Sequence, residues 1–240
     1  MSLLRGRRRA PSRNGEEAEK PFWISFSDLM SALMVLFLVA LTVALMVVTH
    51  DVSRVADLKE ERETEIERLM RRLQASVERF PGVVLRGSVI DFGERARFET
   101  NSHRLLPEQG GLLRAFVPSV LALARDPAGE KWIKRIVVEG YADPRGSYLH
   151  NLDLSLRRSE RVLCVLLFPE QGPEVLSEAD RQLVRELFRV AGASYNSQRD
   201  SADASRRIEL RLEFWQTDEE KPALPSLPQL AEQRCPLDAP

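Results

Sequence analysis

The residue whose setting most calls for chemistry is Asp28. It is the one formal charge in the 27 residues from Phe22 to Val48, FWISFSDLMSALMVLFLVALTVALMVV. A carboxylate inside a bilayer costs ~2.5–3.5 kcal/mol on insertion scales, and such groups face a bundle interior, a water-filled path or a proton relay. The plainer alternative is an acid near the headgroups, tolerated at the positive end of the helix dipole. A second group of polar residues follows far downstream, in Val-Glu-Gly-Tyr-Ala-Asp143-Pro-Arg-Gly-Ser and the helix-like run after it, which carries Asn151, Arg157, Arg158 and Arg161. Taken alone, Asp143 before Pro144 and Gly146 is a turn residue, and the arginines are a solvated helix face. His50, His103 and His150 have no second ligand at metal spacing. The chain contains no G-x-S-x-G, G-x-x-x-x-G-K-[ST] or G-x-G-x-x-G, so nothing points to an enzyme or to a cofactor.

These residues need two kinds of scaffold. The apolar run would span ~40 Å as a helix at ~1.5 Å per residue, enough for a ~30 Å hydrocarbon core. Arg5, Arg7, Arg8, Arg9, Arg13 and Lys20 precede it, and more acids than bases follow it from Asp51 to Glu65. The positive-inside rule therefore puts the N-terminus in the cytoplasm and everything after about Thr49 outside the inner membrane, in the periplasm. A cleaved signal peptide would have a shorter apolar core and a small-residue site, which VVTHDVSRV lacks, so the segment reads as an uncleaved anchor. The 35 cations balance 36 anions for a net charge of −1, which argues against a nucleic-acid partner. Thirty of those cations are arginine, a bias to which no function is assigned.

Asp51 to Phe80 has no Pro or Gly and reads as a helical stalk with a seam at Ile66, Leu69, Leu73, Val77 and Phe80. That seam suits either a short parallel coiled coil or a helix lying on the next domain. Pro81 and Gly82 close it. Beyond them the pattern predicts a strand over Val83–Phe92, a helix over Glu108–Arg125, a buried strand over Ile133–Glu139, a helix over Leu154–Phe168, a second helix over Ser177–Val190 and a strand over Arg207–Phe214. Strands alternating with helices make this an α/β (α+β sandwich) domain. The expected organisation is 1–21 basic cytoplasmic segment, 22–48 membrane helix, 49–82 stalk, 83–216 domain and 217–240 a Pro-rich, disordered tail.

Trp23 to Met34 spells W-x-x-x-S-D-L-M-S-x-L-M and resembles the membrane segment of the MotB family, stator subunits of ion-driven flagellar motors. The resemblance implies that Asp28 is the proton acceptor. It also implies that two copies of this chain form a homodimer surrounded by a multi-helix, MotA-like membrane partner. The physics agrees: low dielectric favours the neutral form of a carboxyl group, which can be protonated from one side and released to the other. Each charge crossing supplies ~2.3 kcal/mol per 100 mV.

The stretch Val138–Val162, VEGYADPRGSYLHNLDLSLRRSERV, is similar to the OmpA-like peptidoglycan-binding domain, and Ser-Arg-Arg-Ile-Glu-Leu, 205–210, resembles that family's N-R-R-V-E-I strand. The resemblance implies that Asp143 and Arg158 hold the diaminopimelate of a peptidoglycan stem peptide, with Asn151 supporting the loop or touching the ligand. Diaminopimelate is zwitterionic: a carboxylate can take its ammonium, and a guanidinium can clamp its carboxylate. Two departures bear on the rim of that site. Ser159 stands where alanine is expected, and a Pro-Glu-Gln-Gly-Pro stretch with an acidic helix fills a region where a strand is expected. The compact layout, with a short charged helix leading straight to the wall domain, resembles the ZorB family of Zorya antiphage defence systems, whose ZorA partner is MotA-like and expected as a pentamer. A flagellar stator subunit and a passive membrane-to-wall tether are the alternatives. In an oxidising compartment Cys164 and Cys235 can pair within the chain; a bond between chains and an unpaired, buried Cys164 are the rivals.

Overall fold

The computed structural model describes residues 20–168, 176–222 and 234–238. The basic segment before Lys20 and the Pro-Glu-Gln-Gly-Pro stretch therefore lie outside the described residues. The chain divides into two compact units, Met1–Asp57 and Leu58–Pro240.

Helix α1 runs from Lys20 to Val77, 58 residues. No Pro or Gly interrupts Phe22–Phe80; the helix ends at Val77, and the chain turns through Pro81 and Gly82, the latter in the left-handed region at φ +89°. Within the first unit its apolar part is long and apolar enough to cross a membrane. Three hydroxyls in that part donate back to the preceding turn: Ser31 to Ser27 O (2.8 Å), Thr42 to Leu38 O (2.6 Å) and Thr49 to Leu45 O (2.9 Å). Each of these hydroxyls thus has its donor satisfied within the helix itself.

The second unit is a mixed α/β domain. Five strands, β1 (Val84–Arg86), β2 (Val89–Asp91), β3 (Ile133–Gly140), β4 (Phe188–Gly192) and β5 (Ile208–Phe214), form one sheet in the order β1-β2-β5-β3-β4. All neighbours are antiparallel except β3 and β4, which are parallel. Its helices are α2 (Pro107–Ala124), α3 (Pro127–Trp132), α4 (Tyr148–Leu167), α5 (Glu178–Leu187) and the short α6 (Ala202–Ser205). Period-two alternation sends Ile90, Ile136, Val138, Leu210 and Leu212 to one face, where they join Phe116, Val117, Val120, Val162 and Leu166 from α2 and α4 in the core. The stalk seam ends in the same core, with Leu69, Leu73 and Val77 buried. Of the two arrangements open to that seam, the helix lying on its own domain is the one adopted. Polar clasps flank it: Arg62 Nε donates to Trp215 O (2.7 Å), Arg72 pairs with Asp126 (2.5 Å) and Glu65 accepts from the Trp132 indole.

The structure corrects several element boundaries. Val83–Phe92 is a hairpin rather than one strand, because Gly87 at φ +61° turns the chain between β1 and β2. Helix α4 starts at Tyr148, six residues before Leu154: Ser147 Oγ caps it by accepting from His150 N, a polar signal that apolar periodicity does not register. The helix placed over Ser177–Val190 ends at Leu187, and Phe188–Gly192 becomes β4 by pairing with Ile136–Gly140. That pairing supplies the strand expected in this region, directly after the acidic helix. In the tail, Pro236–Asp238 forms a 3-10 turn. It is tied to α4 by a Cys164–Cys235 disulfide and by Arg161, whose Nη1 and Nη2 both donate to Asp238 (3.1 and 2.7 Å).

Two measurements follow from this packing. Leu73→Ala, at a position with no exposed surface, is expected to lower the unfolding free energy of the detergent-solubilised chain by about 2–5 kcal/mol; a cost below about 1 kcal/mol would mean that the stalk is not part of the core. Replacing both cysteines by serine is expected to cost about 2–4 kcal/mol in a urea titration without reductant. Identical midpoints for the oxidised wild type and the double variant would show that the bridge contributes no stability.

Candidate functional site

The first candidate group lies in the apolar part of α1. Asp28 shares a helix face with Ser31, Ala32, Val35, Leu36 and Val39, which line a shallow groove. Small residues at Ser31 and Ala32, three and four positions on, allow another helix to approach closely beside the carboxylate.

The second group is built where β3 ends. Gly140 makes the junction: a Cβ there would lie 2.0 Å from Ser155 O and 3.2 Å from Arg158 Cβ, so α4 can cross this closely only over glycine. The crossing delivers Arg158, one turn into the contact, beneath the loop that follows the strand. Arg158 has no exposed surface. Its Nε donates to Ser102 O (2.9 Å), Nη1 to Tyr141 O (2.6 Å) and Nη2 to Glu99 O (3.0 Å), while its guanidinium carbon sits 4.9 Å from the centre of the Phe98 ring. Burial, reinforced by the nearby Arg206 and opposed by Asp143, pushes its pKa down to about 10, so it stays charged at neutral pH. The solvated helix face is therefore excluded for Arg158, but so is a freely offered clamp: three of its donors already serve carbonyls.

Asp143 is 6% exposed. Its Oδ1 accepts from the Arg145 backbone N–H (3.0 Å), the two-residue contact of an Asx turn, and from Arg145 Nε (3.0 Å). Its Oδ2 accepts from Arg145 Nη2 (2.7 Å) and Arg206 Nη1 (3.2 Å). The Arg145 side chain, before its backbone N–H and Arg206, holds this carboxyl far below the usual carboxylate range, with burial working in the other direction. Asn151, 2% exposed, donates from Nδ2 to Arg145 O (2.9 Å) and so fixes the loop. Across the site, Arg145 Nη2 also donates to Thr100 Oγ1 (3.1 Å), and His150 Nε2 lies 2.8 Å from Asn101 Oδ1.

Asp143, Arg158 and Asn151 thus gather around one loop, though Asp143 pairs with Arg145 and Arg206 rather than with Arg158. Arg145 and Arg206 are the residues that sequence reasoning missed. Arg206 is 63 positions from its partner and bonds Phe98 O (2.9 Å) and Asp203 (2.6 Å) as well; its one sequence signal is its place in the Ser-Arg-Arg-Ile-Glu-Leu run. Arg145 sits in the Asp-Pro-Arg-Gly turn, where an arginine reads as solvent-facing. Cys164 and Cys235 lie elsewhere on α4 and the tail, with Cα atoms 5.2 Å apart.

No protein-family model matches the chain. Among solved structures, a MotB like protein from Desulfovibrio vulgaris is 18% identical with a TM-score of 0.39, covering 67% of this chain and 99% of its own. The cell wall anchor of the T6SS from Pseudomonas aeruginosa is 17% identical with a TM-score of 0.38, covering 60% and 96%. The Zorya protein ZorB of Escherichia coli O139:H28 (strain E24377A / ETEC) is 43% identical over 207 residues, which are 85% of this chain and 84% of that protein. With 43% identity over 85% of this chain, the chain belongs to the ZorB family of Zorya proteins.

Proposed function

We propose that this chain is the wall-anchored, proton-handling subunit of an ion-driven motor in the inner membrane that acts in antiphage defence. The observation that carries the reading is the single carboxylate of the apolar run, Asp28, on a helix face with small neighbours, in a member of the ZorB family. One helix cannot enclose a proton path. The reading therefore requires a dimer of this chain inside a MotA- or ZorA-like partner, five copies of which would complete the enclosure. In this arrangement the N-terminus is cytoplasmic and the sheet domain periplasmic. The role is mechanical and conductive, not enzymatic, with the proton as the transported ion.

In the wall-binding half of the reading, the ligand is the diaminopimelate of a stem peptide. Asp143 would receive its ammonium, Arg158 would supply positive potential for its carboxylate from below the loop, and Asn151 would keep the loop in place. Of these, Asp143 is the residue to change first. Arg158→Ala would take the donor from three carbonyls, of which the Tyr141 carbonyl is buried and would cost about 1–3 kcal/mol unpaired, and so would test folding as much as binding.

Two experiments separate the halves. In cells carrying the complete operon, Asp28→Asn at matched expression is expected to raise phage plating to the level of cells without the operon while the complex still assembles. Unchanged protection would make the chain a tether with an incidental acid. Asp143→Asn is expected to lower retention of the full chain on purified peptidoglycan by more than about tenfold, in keeping with the loss of a charge-assisted contact; full retention would remove Asp143 from the wall site.

A further inference from the structure

A carboxylate offers about four acceptor directions, and in Asp143 four donors occupy them: the Arg145 backbone N–H and Nε on Oδ1, and Arg145 Nη2 and Arg206 Nη1 on Oδ2. No direction is left for a ligand, so an ammonium reaching Asp143 must replace one of these donors. They differ in how readily they can leave. The backbone N–H belongs to the turn itself. The Arg206 side chain is 7% exposed and is held at its other nitrogens by Phe98 O and Asp203. The Arg145 side chain is 59% exposed, and its remaining contact is a neutral hydroxyl, Thr100 Oγ1.

The loop does not depend on that side chain. Its shape is kept by the Arg145 N–H on Asp143 and by Asn151 on Arg145 O, so the guanidinium can swing into solvent while the turn stays closed. The exposed guanidinium is open to water and to a competing cation, so of the side-chain donors on Asp143 it is the one that can be exchanged without unburying a charge. Two of its contacts to Asp143 form the parallel fork that arginine makes with carboxylates. It therefore presents to Asp143 the same charge that an incoming ammonium would bring.

We propose that Arg145 is a latch on the wall-binding site: its guanidinium occupies the Asp143 carboxylate in the free protein, and an amine-bearing peptidoglycan peptide binds by displacing it. This deepens the wall-binding reading above and rests on it. A latch closed nine-tenths of the time lowers the apparent affinity about tenfold relative to an open site. In the proposed dimer, two such weakened sites release a single peptide readily but together hold to a surface that offers many peptides.

The test is co-sedimentation of the full-length, detergent-solubilised chain with purified peptidoglycan, titrated to half-maximal retention. Arg145→Ala is expected to need about three- to tenfold less peptidoglycan than the wild type, and Arg145→Lys, which keeps a cation but loses the fork, to fall between them. Asp143→Asn should abolish the gain when combined with Arg145→Ala, since the latch acts only through that carboxylate. Retention of Arg145→Ala that is equal to or weaker than the wild type overturns the latch and makes Arg145 a bystander or a wall contact. If neither the wild type nor Arg145→Ala is retained, the wall-binding reading fails, and the latch with it.

Discussion

The buried guanidinium of Arg158 is the interaction on which the geometry of the folded domain's site depends. A charge with no exposed surface is costly unless its environment replaces the water it has lost. Here the replacement is three backbone carbonyls, one aromatic face and the field of a nearby carboxylate. Two of those carbonyls, from Glu99 and Ser102, belong to the segment before α2; the third, from Tyr141, belongs to the end of β3. One side chain thus joins the loop that carries Thr100 and Asn101 to the loop that carries Asp143 and Arg145. The close crossing at Gly140 is what allows α4 to bring it there. A lysine could not serve, because a single ammonium lacks the planar fork that spans three separated acceptors.

The same use of arginine recurs on the sheet face that turns away from the core. Register places Asp91, Glu209 and Glu139 side by side on β2, β5 and β3, three carboxylates that would repel one another. Arg199 bridges Asp91 and Glu209 at 3.0 and 2.9 Å, Arg207 holds Glu209 at 2.7 Å, Arg86 reaches Asp91 at 3.0 Å and Arg211 pairs with Glu139. The preponderance of arginine over lysine, uninformative as composition, has a structural use in this domain: a guanidinium can serve two acceptors at once in a partly buried network.

Helix α1 is continuous in secondary structure but changes chemistry along its length. From Phe22 to Val48 apolar residues surround the whole helix, as a lipid-facing segment requires; from Ile66 onward they narrow to a stripe that is consumed by the domain core. The stripe therefore has no surface to spare over Leu69–Val77 for a second copy of the helix. Any pairing between two copies has to use other parts of the chain.

What was legible in the sequence was whatever depends on local pattern. The apolar run with its lone carboxylate, the Pro-Gly stop and the alternation of strands with helices follow from spacing within a few tens of residues, where periodicity and turn chemistry act, whereas Asp143, Asn151 and Arg158 were singled out by resemblance to the OmpA-like domain and not by local pattern. Tertiary structure decided what depends on contacts between distant positions. Strand β4 exists because β3 offers it a partner, against a local pattern that continues the helix. The coiled-coil option for the stalk was lost to a core whose members run from Val83 to Leu212. The roles of Arg145, Arg158 and Arg206 were also set in this way. An arginine's charge can be read from the sequence, but whether it meets water, a carbonyl or a carboxylate is fixed by the fold that surrounds it, because desolvation and pairing are properties of position in space and not of position in the chain.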